Sequence, residues 1–144
     1  MQRYWFIVAL ALALTAGEPA LACRTEQTIA LEDVRKANVV LVGRISNYRI
    51  ISVSYARFVI QVDEVLVGRV PQRLSIHWNN STFEVPIDLR SGPFLIALQG
   101  PSTNSDYELG SFKLLQAHCS DPFLFDSTSD EAVAVRRILT TPRS

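Results

Sequence analysis

"ARFVIQVDEVLVG", Ala56 to Gly68, is followed after Pro71 by "RLSIHW", Arg73 to Trp78. In the first run Phe58, Ile60 and Val62 alternate with Gln61 and Asp63, the period of a strand with one wet face. The second run repeats the pattern, with Leu74, Ile76 and Trp78 facing in and Ser75 and His77 facing out. Two strands of this kind in succession, with a break at Gly68 and Pro71, point to an antiparallel sheet. Working outward, "NVVLVGRI", Asn38 to Ile45, is a continuous β-branched run, as expected for a strand covered on both faces or curling around a barrel. Gly43 within it permits a bend or a bulge.

A fourth strand, "PFLIALQG", Pro93 to Gly100, follows the turn Ser91-Gly92-Pro93. After a polar loop from Pro101 to Asp106, "YELGSFKLLQAHC", Tyr107 to Cys119, supplies a fifth. Helices bracket the strands. "TIALEDVRKA", Thr28 to Ala37, has Thr28 as its cap, Glu32 and Asp33 early and Arg35 and Lys36 late, in the sense that suits a helix dipole. "STSDEAVAVRRIL", Ser127 to Leu139, sets Thr128 and Glu131 at capping-box spacing and places Ala132, Val135, Ile138 and Leu139 on one face. The expectation is an all-β, five-stranded, OB-like barrel with a short N-terminal helix and a C-terminal helix packed on it.

The first residues suggest export. Arg3 is followed by an apolar run from Trp5 to Thr15, and Ala20 and Ala22 supply the small residues that signal peptidase accepts. A helix of about 11 residues reaches only about 16 Å, against a hydrocarbon core of about 30 Å, so the run reads as a signal and not an anchor. Residues 1–22 are therefore expected to be removed, leaving 23–144 as one domain, secreted or periplasmic. Cys23 then opens the mature chain.

The sequence has two cysteines, Cys23 and Cys119. In an oxidising compartment they most simply form one disulfide. Closing a loop of about 100 residues corresponds to ~4.7 kcal/mol in the chain-entropy model. Acylation of Cys23 is the competing reading and would make the protein a lipid-anchored envelope or assembly element. Bacterial lipoproteins usually carry Leu three residues before the cysteine, where Ala20 stands here.

Fourteen basic and fourteen acidic side chains leave no net charge. Charges scattered singly along the chain give no sign of the basic patch that nucleic-acid binders carry, and a membrane enters only through a lipidated Cys23. Catalysis finds little to work with. No nucleophile-elbow motif occurs, His77 and His118 are the only histidines, and Asp63 and Glu64 are adjacent in a strand and so point to opposite faces. His77 reads as solvated on the outer face, and His118 with Cys119 lacks the spaced partners of a zinc site. No cofactor is implied. "NNST", Asn79 to Thr82, holds two sequons, and the ring of Trp78 beside it belongs in the core. Trp78 on the outside would instead suit a small ligand or oligosaccharide.

The order of these pieces resembles the netrin-like and tissue-inhibitor-of-metalloproteinases families. The likeness rests on Cys23 directly after the cut, "ALEDVRKANVVLVGRI" as a helix entering a first strand, "FVIQVDEVLVGRVPQRLSI" as the second and third strands, "PFLIAL" as the fourth, and a late cysteine, Cys119. It spans nearly all of the mature chain. The resemblance implies an OB-type barrel that binds a protein partner, possible inhibition of a zinc metalloproteinase included. The free α-amine and carbonyl of Cys23 would grip the protease zinc, Cys119 would tether that residue, and Arg24 would point toward the substrate pocket. Those inhibitors open with Cys-x-Cys, whereas Arg24 and Thr25 follow Cys23 here and there is no third cysteine.

Overall fold

The computed structural model describes residues 27–80, 84–100 and 112–142. Among these residues six strands follow a 3-10 helix, Leu31–Lys36: β1 Val39–Ser52, β2 Tyr55–Val67, β3 Arg73–Asn79, β4 Phe94–Gln99, β5 Phe112–Leu114 and β6 Leu124–Asp126. The helix α1, Asp130–Thr140, ends the fold. The strand order β1-β2-β3-β5-β4 returns to β1 through a β1–β4 pairing, which closes a five-stranded barrel, and β6 is an additional strand on β4. The β3–β5 pair is parallel and the other pairs are antiparallel. This is the expected OB-like barrel.

Closure depends on β1 serving two neighbours. Its first residues pair with β4 from Val39 opposite Leu98 to Gly43 opposite Phe94, and the same residues pair with β2 on the other edge. The register with β2 shifts between Val42 and Gly43, the bend that the glycine permits. A Cβ on Gly43 would lie 2.6 Å from both Gln61 O and Ile60 Cγ2, so only glycine lets the strands approach this closely. Beyond that point β1 leaves β4 and continues with β2 alone as a long hairpin.

Two apolar layers explain why β1 and β4 read as unbroken hydrophobic runs. Inside the barrel, Leu41, Phe58, Ile60, Ile76, Ile96 and Leu98 pack with Trp78 and Leu114. Outside it, Val40, Val42, Leu95 and Ala97 turn toward Val34 of the 3-10 helix, Phe123, and Ala132 and Val135 of α1. Phe123 is fully buried and meets Phe125 edge-on, with ring centroids 5.7 Å apart. Ile138 and Leu139 pack on the same layer, so the helical face anticipated for α1 is the one that docks.

Several boundaries differ from expectation for identifiable reasons. The first helix is a six-residue 3-10 segment whose N-cap is Ala30, with no side-chain cap from Thr28. The tighter winding brings side chains at i and i+3 into line, and Glu32–Arg35 and Asp33–Lys36 form ion pairs at 3.3 and 2.6 Å. The α1 cap falls on Ser129, whose hydroxyl accepts from Ala132 N at 3.2 Å, because the Thr128 amide and hydroxyl are both held by Asp126 Oδ1. In the expected fifth strand, residues 107–111 lie outside the described residues and β5 is three residues long. β6 was not expected at all. β5 and β6 lie one after the other along the same edge of β4, opposite Leu98 and Gln99 and then Phe94 to Ile96.

Candidate functional site

Between β5 and β6 the chain makes an excursion, closed by a bridge between Gln116 and Pro122. Cys119 sits at its turn with φ of 63° and is buried. The Gln27 amide donates to the Cys119 carbonyl at 2.8 Å, and Gln27 lies in a parallel bridge with Ser120. An N-terminal segment is thus laid against the loop carrying the late cysteine. No free cysteine occurs among the described residues. Cys23 and Arg24, the residues on which the resemblance places the binding role, lie outside the described residues.

The excursion is held from beneath by one glutamine. Gln116 Oε1 accepts from the Trp78 indole Nε1 at 2.9 Å, while its Nε2 donates to Asn80 Oδ1 at 3.2 Å and to the Ser120 carbonyl at 2.8 Å. Ser120 Oγ donates within the turn, 3.1 Å from both the Ala117 and Asp121 carbonyls. Trp78 of β3 and Asn80, the residue after the strand, therefore position the loop, and both are buried. Trp78 belongs to the core, as its alternation implies. Asn80, one of the two sequon asparagines, is enclosed, whereas Asn79 is exposed. The Gln116 bracket was invisible in sequence because a lone glutamine after a strand carries no periodic signal.

Beside this loop lies a groove of about 720 Å³. Ile29, Trp78, Pro122 and Phe125 give it an apolar floor, and the carboxylates of Glu84, Asp121, Asp126 and Glu131 line it as well. No lysine, arginine or histidine is among the groove residues described. The two hydrogen bonds from Thr128 hold the Asp126 carboxyl below its usual range, with the Arg90 guanidinium adding to the effect. The groove combines apolar contact with four carboxylates, of which Asp126 faces Arg90 at 3.6 Å.

His77 corrects the sequence reading. It points outward from β3 as predicted, yet it is 5% exposed. Alternation gives a side chain's direction and says nothing of its cover. Arg57 of β2 and Lys113 of β5 stand opposite it in register, and the Tyr55 ring lies 6.2 Å away. Burial lowers the His77 pKa, and the positive charges of Lys113 and Arg57 lower it further. Asp63 and Glu64 part as expected. Asp63 pairs with Arg44 across the hairpin at 2.9 Å, and Glu64 receives both guanidinium nitrogens of Arg136 from α1 at 3.2 and 2.7 Å. Among the described residues no group of three or more His, Cys, Asp or Glu side chains is placed to hold a metal.

Comparison with protein-family models and with curated proteins finds no match to this chain.

Proposed function

We propose that the protein is a secreted or periplasmic protein-binding domain whose mature chain opens at Cys23, with Cys23 bridged to Cys119. The observation that carries this reading is the bond from the Gln27 amide to the Cys119 carbonyl, which aligns the chain just after the expected cut with the late loop. A terminus fixed in this way loses little entropy when it binds, whereas a free end would have to be ordered first. The barrel supplies a rigid base, and the groove supplies contact area beside the Cys119 loop.

In its most specific form the proposal is inhibition of a zinc metalloproteinase. The uncharged α-amine and the carbonyl of Cys23 would take the place of the zinc-bound water, and Arg24 would enter the substrate pocket. Binding then needs no residue ahead of Cys23. The test compares native protein with a form carrying one extra alanine before Cys23, against a co-secreted zinc metalloproteinase. Inhibition by the native form and its loss in the extended form are the expected result. Unchanged inhibition by the extended protein, or none by the native one, overturns the zinc-gripping mechanism. Mass spectrometry of the native terminus checks the pairing, since an acylated Cys23 would be heavier and would leave no disulfide.

A further inference from the structure

Among the described residues β6 stands at the edge of the sheet and pairs with β4 alone. The Ala97 amide donates to the Phe123 carbonyl and the Ser127 amide to the Pro93 carbonyl, both at 3.1 Å, so the odd-numbered residues of this run turn their backbone groups toward β4. Alternation along the strand then turns those of Leu124 and Asp126 to the far side. Two of these groups are used locally. The Leu124 amide donates to the Pro122 carbonyl at 2.8 Å, and the Asp126 carbonyl accepts from the Ser129 amide at 3.0 Å. The Leu124 carbonyl and the Asp126 amide have no hydrogen-bond partner among the described residues. Unpaired backbone groups along a strand edge are a template for another strand.

This edge borders the groove of about 720 Å³, which Leu124, Phe125 and Asp126 all line. Trp78 of β3 lines it too, so the groove lies between β6 and a second strand. Its charges favour a cationic occupant. The Asp126 carboxylate is held by Thr128 and faces Arg90, but those of Glu84, Asp121 and Glu131 have no ion-pair partner among the described residues. Among the described residues no three such groups come together as a metal site, so the carboxylates act as separate charges. Pro122 and Phe125 place apolar surface among them. An extended chain meets both demands, because its backbone bonds to the edge while its side chains reach the charged and apolar parts.

We propose that the free edge of β6 takes up an extended, lysine- or arginine-bearing segment of a partner protein as an added strand. The segment donates to the Leu124 carbonyl and accepts from the Asp126 amide. Its basic side chains reach Glu84 and Asp121, and its apolar ones lie on Phe125 and Pro122. The inference rests on the protein-binding reading in taking the partner to be a protein, and it does not use the zinc-gripping terminus.

The test is titration of the mature protein with the capped peptide acetyl-Lys-Val-Lys-Val-Lys-amide. Binding is read from the fluorescence of Trp78, which lines the groove, and from hydrogen exchange of the Asp126 amide. Saturable binding that slows this exchange is expected. The counterpart with glutamate for lysine should not bind. Two analogues are N-methylated at the lysines or at the valines, and at least one should lose binding, since one set of N–H groups faces the edge. E84Q and D121N, both at exposed side chains, should each weaken binding about two- to fivefold, the worth of one exposed charge pair. Thermal melts show whether each variant is folded. Absence of saturable binding overturns the proposal, as does equal binding of the glutamate peptide. So does retention of binding by both methylated analogues, full binding by folded E84Q/D121N, or unchanged Asp126 exchange at saturation. Equally strong binding of spermine, a cation with no peptide backbone, would reassign the groove to free cations and also overturn strand addition. An alanine ahead of Cys23 should leave peptide binding intact. Peptide uptake without metalloproteinase inhibition removes only the terminal mechanism, and inhibition without peptide uptake removes only the added strand.

Discussion

Arg35 and Ile138 are 103 positions apart in sequence, and the guanidinium of the first donates to the carbonyl of the second at 2.7 Å. A second bond, 3.0 Å long, reaches the Thr141 carbonyl. These acceptors lie at the end of α1, where helix carbonyls lack partners of their own and a positive charge is favourable. Arg35 therefore fastens the segment that leads into β1 to the last turn of the chain, above the outer core layer.

Removing that clasp has a measurable cost. R35M keeps the aliphatic stem and loses both bonds to the α1 carbonyls. The expected destabilisation is about 1–2 kcal/mol, at the low end for charge-assisted bonds because the side chain is partly solvated. The midpoint of urea unfolding reads it directly. A midpoint equal to wild type would mean that water replaces the guanidinium without loss.

Gln116 should matter more than its polar character suggests. In Q116L the Trp78 indole loses its acceptor inside the fold, at about 1–3 kcal/mol for a buried group left unsatisfied, and Asn80 Oδ1 and the Ser120 carbonyl each lose one donor. Trp78 is the sole tryptophan after Cys23. Its fluorescence spectrum should therefore shift in the variant, alongside a fall in melting temperature.

Gly43 marks the point where β1 departs from β4. G43A introduces a methyl group 2.6 Å from Gln61 O, which belongs to backbone and cannot rotate away. Strands must separate to admit it, and overpacking of this kind costs about 1–3 kcal/mol. The variant is expected to melt lower and to exchange the β1–β4 amides faster.

The environment of His77 gives stability a pH dependence with a definite sign. Its folded pKa lies below the ordinary value of 6.5, so the unfolded chain takes up a proton more readily than the folded one. Stability is therefore full above about 6.5 and declines as pH falls from there toward the folded pKa. Lys113 and Arg57 both face the imidazole and oppose its protonation. H77Q should flatten this part of the curve. Glu64 and Asp126, whose pKa values are lowered by Arg136 and by Thr128, act in a separate window, adding stability above the carboxylate range and losing it at lower pH. Urea titrations at intervals across both windows distinguish the two.

Local chemistry was legible wherever one periodic signal dominated. The alternation in Ala56 to Gly68 and in Arg73 to Trp78 and the apolar face of α1 each reflect one backbone period meeting a single apolar layer, and the β-branched run before Gly43 reflects a strand with an apolar layer on each face. The tertiary structure decided what depends on residues far apart in the chain. It buried His77 by bringing Arg57 and Lys113 to either side, placed Phe123 in a second core outside the barrel, and turned Leu124–Asp126 into a strand by offering it the free edge of β4. It also bound Gln27 to the Cys119 loop and gathered arginines that are scattered in sequence into one row. Sequence spacing reports which way a side chain points, because the backbone repeat sets that locally. What stands opposite it is set by closure of the barrel, a long-range event to which every strand contributes.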